Sequence, residues 1–137
     1  MKVEKIDHIA INVRDLAKAG KFFADLLGTQ FSRAAVFKEI DLRSSVDPLG
    51  IELVEPLTPD GPTARAIERR GEGVSLLSFK VSGLEDAVAE MESRGIRLVA
   101  RIDRAKMKAA IFHPKDTYGV MFEFLEKPYF TPEKHMA

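Results

Sequence analysis

Ile6-Asp7-His8-Ile9-Ala10-Ile11-Asn12-Val13-Arg14-Asp15-Leu16 is the stretch whose reading decides the fold. It reads as an apolar strand running directly into a helix. Val74-Ser75-Leu76-Leu77-Ser78-Phe79-Lys80-Val81-Ser82-Gly83-Leu84 repeats the pattern 68 positions later, from Ile6 to Val74. A second echo closes each half. Ile51-Glu52-Leu53-Val54-Glu55-Pro56 ends the first, and Phe122-Glu123-Phe124-Leu125-Glu126-Lys127-Pro128 ends the second. One mismatch matters for chemistry: His8 in the first opening strand is matched by Leu76 in the second.

Working outward, alternation puts Ile6, His8, Ala10 and Asn12 on one face of the first strand, about Lys5 to Val13. Asp7, Ile9, Ile11 and Val13 take the other face. Asp15 is placed to cap a helix in which Leu16, Ala19, Phe22, Phe23, Leu26 and Leu27 recur at helical spacing, with Gly28 as its stop. Strands follow near Phe31–Val36, Glu39–Ser44 and Gly50–Val54. Thr58-Pro59-Asp60-Gly61-Pro62 is a loop, and Thr63 to Arg70 a short connecting helix. The second half repeats the series. Its strand spans about Val74 to Val81 and its helix about Leu84 to Arg94, ended by Gly95. Strands then fall near Arg97–Arg101, Lys108–His113 and Val120–Leu125. The tail after Pro128 lacks periodicity.

Each half is therefore βαβββ. A four-stranded sheet with a helix on one face leaves its other face bare. The expected fold is α+β: one domain, 1–137, of two modules, about 1–57 and 72–128, with a linker helix at 62–71. The modules form a cupped mixed sheet with helices on the outer face. His8, Glu52, Leu76 and Glu123 project into the cup.

Composition excludes several classes of function. The chain has 137 residues, 45% apolar and 31% charged, with 21 basic and 21 acidic side chains. That balance offers no electrostatic footprint for nucleic acid or an anionic membrane. No cysteine is present, so disulfides, thiolate metal sites and cysteine nucleophiles are excluded. The charged N-terminus does not read as a signal peptide. No apolar run approaches the roughly 18 residues of a membrane span. A cytoplasmic protein is expected.

The order and spacing of these motifs resemble the vicinal oxygen chelate superfamily, which includes glyoxalase I, extradiol dioxygenases and bleomycin-binding proteins. The wording is most similar to its methylmalonyl-CoA epimerase branch. Asp7-His8-Ile9-Ala10-Ile11 matches the opening strand, and Ile51-Glu52-Leu53-Val54-Glu55-Pro56 the fourth. Ile111-Phe112-His113-Pro114-Lys115-Asp116 with Gly119-Val120-Met121-Phe122-Glu123 matches the last hairpin. The resemblance implies a divalent metal, Co, Mn, Ni, Fe or Zn, held by His8, Glu52 and Glu123. It also implies Glu123 and Glu52 as catalytic carboxylates and proton transfer next to a metal-bound carbonyl. The implied enzyme is an isomerase or lyase acting on a small molecule, an acyl-CoA or 2-oxo compound. It is expected to be a homodimer.

The chain departs from the family pattern twice. The Gly-x-His-His-Ile type strand reads Gly73-Val74-Ser75-Leu76-Leu77, and Leu76 cannot bind a metal. A second glutamate is expected before the fourth strand, where Glu39 is the only nearby carboxylate. Two alternatives therefore stay open: a metal-free member that only binds a small molecule, and a metal-free acid–base enzyme using Glu52 or Glu123. Two carboxylates facing one small cavity need a cation, a shared proton, or a basic partner such as Arg43, Lys80, Lys106 or Lys108. His113 reads as a turn residue beside Pro114, and His135 as part of the tail.

Overall fold

The computed structural model describes residues 1–127. The chain is α+β, with elements in the order β1 (Lys2–Asn12), α1 (Leu16–Leu27), β2 (Ala35–Phe37), β3 (Leu42–Val46), β4 (Ile51–Pro56), α2 (Pro62–Arg70), β5 (Gly73–Ser82), α3 (Leu84–Ser93), β6 (Leu98–Arg104), β7 (Met107–Phe112) and β8 (Phe122–Glu126). The order βαβββ thus occurs twice. The described residues form two compact units. Of these residues, one unit contains Met1–His8 and residues 76–127; the other is Ile9–Ser75. Strand β1 contributes to both. Among the described residues, no helix is long and apolar enough to cross a membrane.

In the Ile9–Ser75 unit, β1 pairs in parallel with β4, with Ala10 opposite Glu52. Antiparallel pairs β4–β3 and β3–β2 complete the ladder. Leu16, Ala19 and Phe23 of α1 pack on Leu53, Val13 and Phe31. Asp15 caps the helix by accepting from Lys18 N at 3.0 Å, and Gly28 ends it in the left-handed region at φ 65°. Phe22 and Leu26, which share the helical spacing of the apolar residues, are nonetheless 59% and 63% exposed. The helix covers a narrow sheet, so only one stripe finds partners.

The other unit follows the same plan. Here β5 pairs in parallel with β8, with Ser78 opposite Glu123. β8–β7 and β7–β6 are antiparallel. The core is Val81, Leu84, Ala87, Val88, Met91, Ala110, Phe112 and Phe124, with Phe79 and Phe122 against it. Helix α3 ends in a Schellman turn: Ile96 N donates to Met91 O and Gly95 N to Glu92 O. Gly95 supplies the positive φ of 76° that this closure needs.

The two ladders explain the echoed glutamates. Ala10 lies two residues past His8 and pairs with Glu52; Ser78 lies two past Leu76 and pairs with Glu123. The second glutamate of each echo caps the helix of its own module. Glu55 accepts from Leu16 N at 3.1 Å, and Glu126 from Gly83 N and Leu84 N at 2.8 and 3.1 Å. A carboxylate there satisfies orphan amides and meets the positive helix end. Glu52 and Glu123, three residues earlier, fall by alternation on the opposite face of each strand, away from the helix.

Strand boundaries differ from expectation mainly before β3. A 3-10 turn at Lys38–Ile40, closed by Asp41 at φ 55°, takes the start of the strand expected over Glu39–Ser44, so β3 begins at Leu42. The strand expected over Phe31–Val36 is the shorter β2, Ala35–Phe37. Glu39 lies in that turn.

Candidate functional site

The unit containing Met1–His8 and β5 to β8 gathers five polar side chains in its interior. Ser78 is fully buried, Glu123 and Lys127 are each 6% exposed, and Asp7 and His8 have largely buried side chains. His8 arrives from β1, Ser78 from β5 and Glu123 from β8. Ser78 and Glu123 are ladder partners, and the Ser78 hydroxyl donates to Glu123 Oε1 at 2.7 Å. His8 Nε2 faces the same oxygen at 3.5 Å.

The other ring nitrogen of His8 is bound as well. Nδ1 lies 2.7 Å from Asp7 Oδ2. An ionised carboxylate only accepts, so Nδ1 carries the hydrogen and donates it. Lys127 Nζ donates to that same Oδ2 at 2.9 Å. Burial pushes the Asp7 carboxyl up. The hydrogen bond from His8 and the neighbouring Lys127 ammonium outweigh that and hold it at about 2, against an ordinary 3.8. Asp7 is thus an anion at neutral pH despite being inside.

The geometry also tests what the resemblance implies about a metal. Two donors at about 2.1 Å from one tetrahedral ion stand roughly 3.4 Å apart. The 3.5 Å between His8 Nε2 and Glu123 Oε1 fits two such positions. With its proton on Nδ1 and a carboxylate behind it, His8 has the arrangement of a metal-ligating histidine. Leu76 adds no donor from β5. Among the described residues, no group of three or more His, Asp or Glu side chains is gathered as a metal site.

Of the expected site residues, His8 and Glu123 meet. Glu52 belongs to the other unit, where it lies between Ala10 and Val46 in the ladder. His113 is the turn residue it reads as: its Nδ1 accepts from Lys115 N at 3.1 Å. His135 lies outside the described residues. Arg43 pairs with Glu55 at 3.1 Å and Lys80 with Glu4 at 4.0 Å. The cation that reaches the cluster, Lys127, is none of the four candidates.

The family model of the glyoxalase/bleomycin resistance protein/dioxygenase superfamily matches residues 5–124. The chain belongs to this superfamily. Among its members, the mitochondrial methylmalonyl-CoA epimerase of Mus musculus is 32% identical over 131 residues, covering 89% of this chain and 72% of the mouse protein. The methylmalonyl-CoA epimerase structure from Mycobacterium tuberculosis has 27% identity and a TM-score of 0.84, covering 93% of this chain and 90% of that one. The Streptomyces coelicolor methylmalonyl-CoA epimerase in complex with 2-nitronate-propionyl-CoA shares the fold, with a TM-score of 0.85 at 23% identity, covering 93% of this chain and all of that chain.

Within this superfamily member, sequence reading missed Asp7, Ser78 and Lys127. Strict alternation sent Asp7 to the face opposite His8, yet from within β1 its carboxylate reaches the neighbouring ring at Nδ1. Ser78 carried a usable signal, because it stands two residues after Leu76 and so shares its face. Lys127 lies 120 residues from Asp7, and no spacing rule joins them.

Proposed function

We propose that the chain is an isomerase of the methylmalonyl-CoA epimerase type. It moves the proton on the carbon beside the carbonyl of an acyl-CoA thioester. The observation that carries this reading is the buried Glu123 carboxylate, held by the Ser78 hydroxyl and faced by His8 Nε2. The names of the relatives support the substrate class.

Glu123 is the general base in this reading. Its Oε1 is anchored by the Ser78 hydroxyl at 2.7 Å. The substrate C–H bond breaks, an O–H bond forms on Glu123, and the electron pair moves to the carbonyl oxygen. The neutral form of a second carboxylate gives its proton to the opposite face of that carbon as the electron pair returns from the oxygen, which completes inversion with Glu123 protonated and the second carboxylate ionised. Glu52 is proposed as the second carboxylate, from its matching place in the repeat alone. Burial favours this chemistry, because a desolvated carboxylate is a stronger base than a hydrated one. A divalent ion, Co, Mn, Ni, Fe or Zn, would be held by His8 Nε2 and Glu123; when bound it supplies Lewis-acid polarisation of the carbonyl. The Ser78–Glu123 bond also favours a metal-free acid–base version, since it gives the carboxylate a protein partner where Leu76 provides no ligand.

The test is exchange of the α-proton of methylmalonyl-CoA in D2O, followed by mass spectrometry, with protein stripped of metal and protein loaded with Co(II) or Mn(II). Deuterium incorporation that is abolished in Glu123→Gln supports the reading. Equal rates with and without metal remove the metal and leave the base. Incorporation no faster than in protein-free buffer under every condition overturns the isomerase.

A further inference from the structure

We propose that Lys127 and Asp7 form a buried brace that locks His8 into the Nδ1–H tautomer, and so decides which ring nitrogen faces Glu123. Its effect on turnover rests on the isomerase reading above; its effect on the ring does not. Asp7 is the acceptor for Nδ1–H, and one oxygen, Oδ2, receives both that proton and the Lys127 ammonium, at 2.7 and 2.9 Å. The lysine fixes the carboxylate in place, and the carboxylate fixes the ring.

The placement on the chain makes the brace specific. Glu123 lies within β8, and Lys127 follows its last residue directly. One segment therefore grips the imidazole at both ends: at Nε2 directly through Glu123, at Nδ1 through Lys127 and Asp7. A shift of β8 relative to β1 would disturb both contacts together. The lysine is also a costly choice for a purely structural role. An ammonium that is 6% exposed has lost its water, and an apolar side chain would fill the same space without that loss. What an apolar side chain could not do is hold Asp7 toward His8.

Lys127 and Asp7 are thus positioning residues. In neutral imidazole the tautomer follows the hydrogen bond made by the other nitrogen. With Nδ1–H tied down, Nε2 turns its lone pair toward Glu123 Oε1, 3.5 Å away. Without the brace, the proton can sit on Nε2 and hydrogen-bond to Glu123 directly, which would occupy the base.

The experiment is 15N–1H long-range correlation on the full chain above the titration range of its histidines, with His8 assigned by comparison with His8→Gln. Wild type is expected to show a single Nδ1–H tautomer for His8. Asp7→Ala and Lys127→Met should each give mixed tautomers, whereas Lys127→Arg, which keeps a charged donor, should restore the single form. In the α-proton exchange assay, Asp7→Ala should lower kcat by about 10- to 100-fold, with KM changed less than about twofold. An Nε2–H or mixed tautomer in wild type overturns the proposal, as does a single Nδ1–H tautomer in both Asp7→Ala and Lys127→Met. If a variant does not fold, wild type and Lys127→Arg still decide the tautomer. If wild type exchanges no α-proton, the isomerase reading fails while the ring measurement still judges the brace.

Discussion

Replacing Asp7 with asparagine should destabilise the protein strongly at neutral pH and hardly at all in acid. A carboxyl held at about 2 in place of 3.8 contributes about 2 kcal/mol of folding free energy near pH 7, at roughly 1.4 kcal/mol per pKa unit. The sign follows from the depression. The unfolded chain binds the proton more readily, so this stability is fully present above about pH 4 and is lost as pH falls through about 2. Asp7→Asn also removes the negative charge that the Lys127 ammonium, 6% exposed, meets at 2.9 Å. Breaking one side of a buried pair costs about 3–5 kcal/mol in general; the surviving His8 contact and amide oxygen reduce this, so about 2–4 kcal/mol is expected here. The double variant Asp7→Asn/Lys127→Met removes both charges and should recover to within about 1 kcal/mol of wild type. The assay is urea unfolding of the four proteins of this cycle across about pH 7 to pH 2. A loss below about 0.5 kcal/mol for Asp7→Asn at neutral pH, with no narrowing of the gap toward pH 2, would refute the buried pair.

Three further outcomes are expected. Asp47 is 2% exposed and accepts from Leu49 N, Ile51 N and Thr29 Oγ1; Asp47→Ala should cost about 2–4 kcal/mol by calorimetric melting, because it leaves buried donors unmatched. Leu76→His adds an imidazole on the strand face that carries Ser78, and should tighten Co(II), Mn(II) or Zn(II) binding in titration calorimetry if His8 and Glu123 hold the ion; unchanged, negligible binding in both proteins counts against the metal. A homodimer is expected at tens of micromolar, on the order of common dimer affinities; a monomer in sedimentation velocity at that concentration contradicts it.

How much of the site was legible depends on the distance over which each relation acts. His8 and Glu123 stood out because a repeat with one substituted position draws attention to what it keeps. Their meeting supports reading the echo as architecture. Ser78 was legible in principle, since strand parity alone puts it beside Leu76. The Asp7–His8 bond was not, because alternation assigns faces to Cβ atoms and says nothing of where a short carboxylate swings at its end. Phe22 is exposed for a related reason: helical spacing identifies an apolar side, while the width of the sheet beneath decides how much of it is covered.

The sequence by itself determined the twice-occurring element order βαβββ, the helix limits at Asp15, Gly28 and Gly95, and the matching ladder positions of Glu52 and Glu123. These follow from local rules: period two in strands, period 3.6 in helices, and residues that tolerate or cap helix ends. Only the tertiary structure decided what surrounds His8. Strand pairing brings β1, β5 and β8 together in one unit, and Lys127 reaches Asp7 across 120 residues of chain. Such contacts depend on strand order and on the loss of water around particular atoms, and neither is encoded in spacing along the chain.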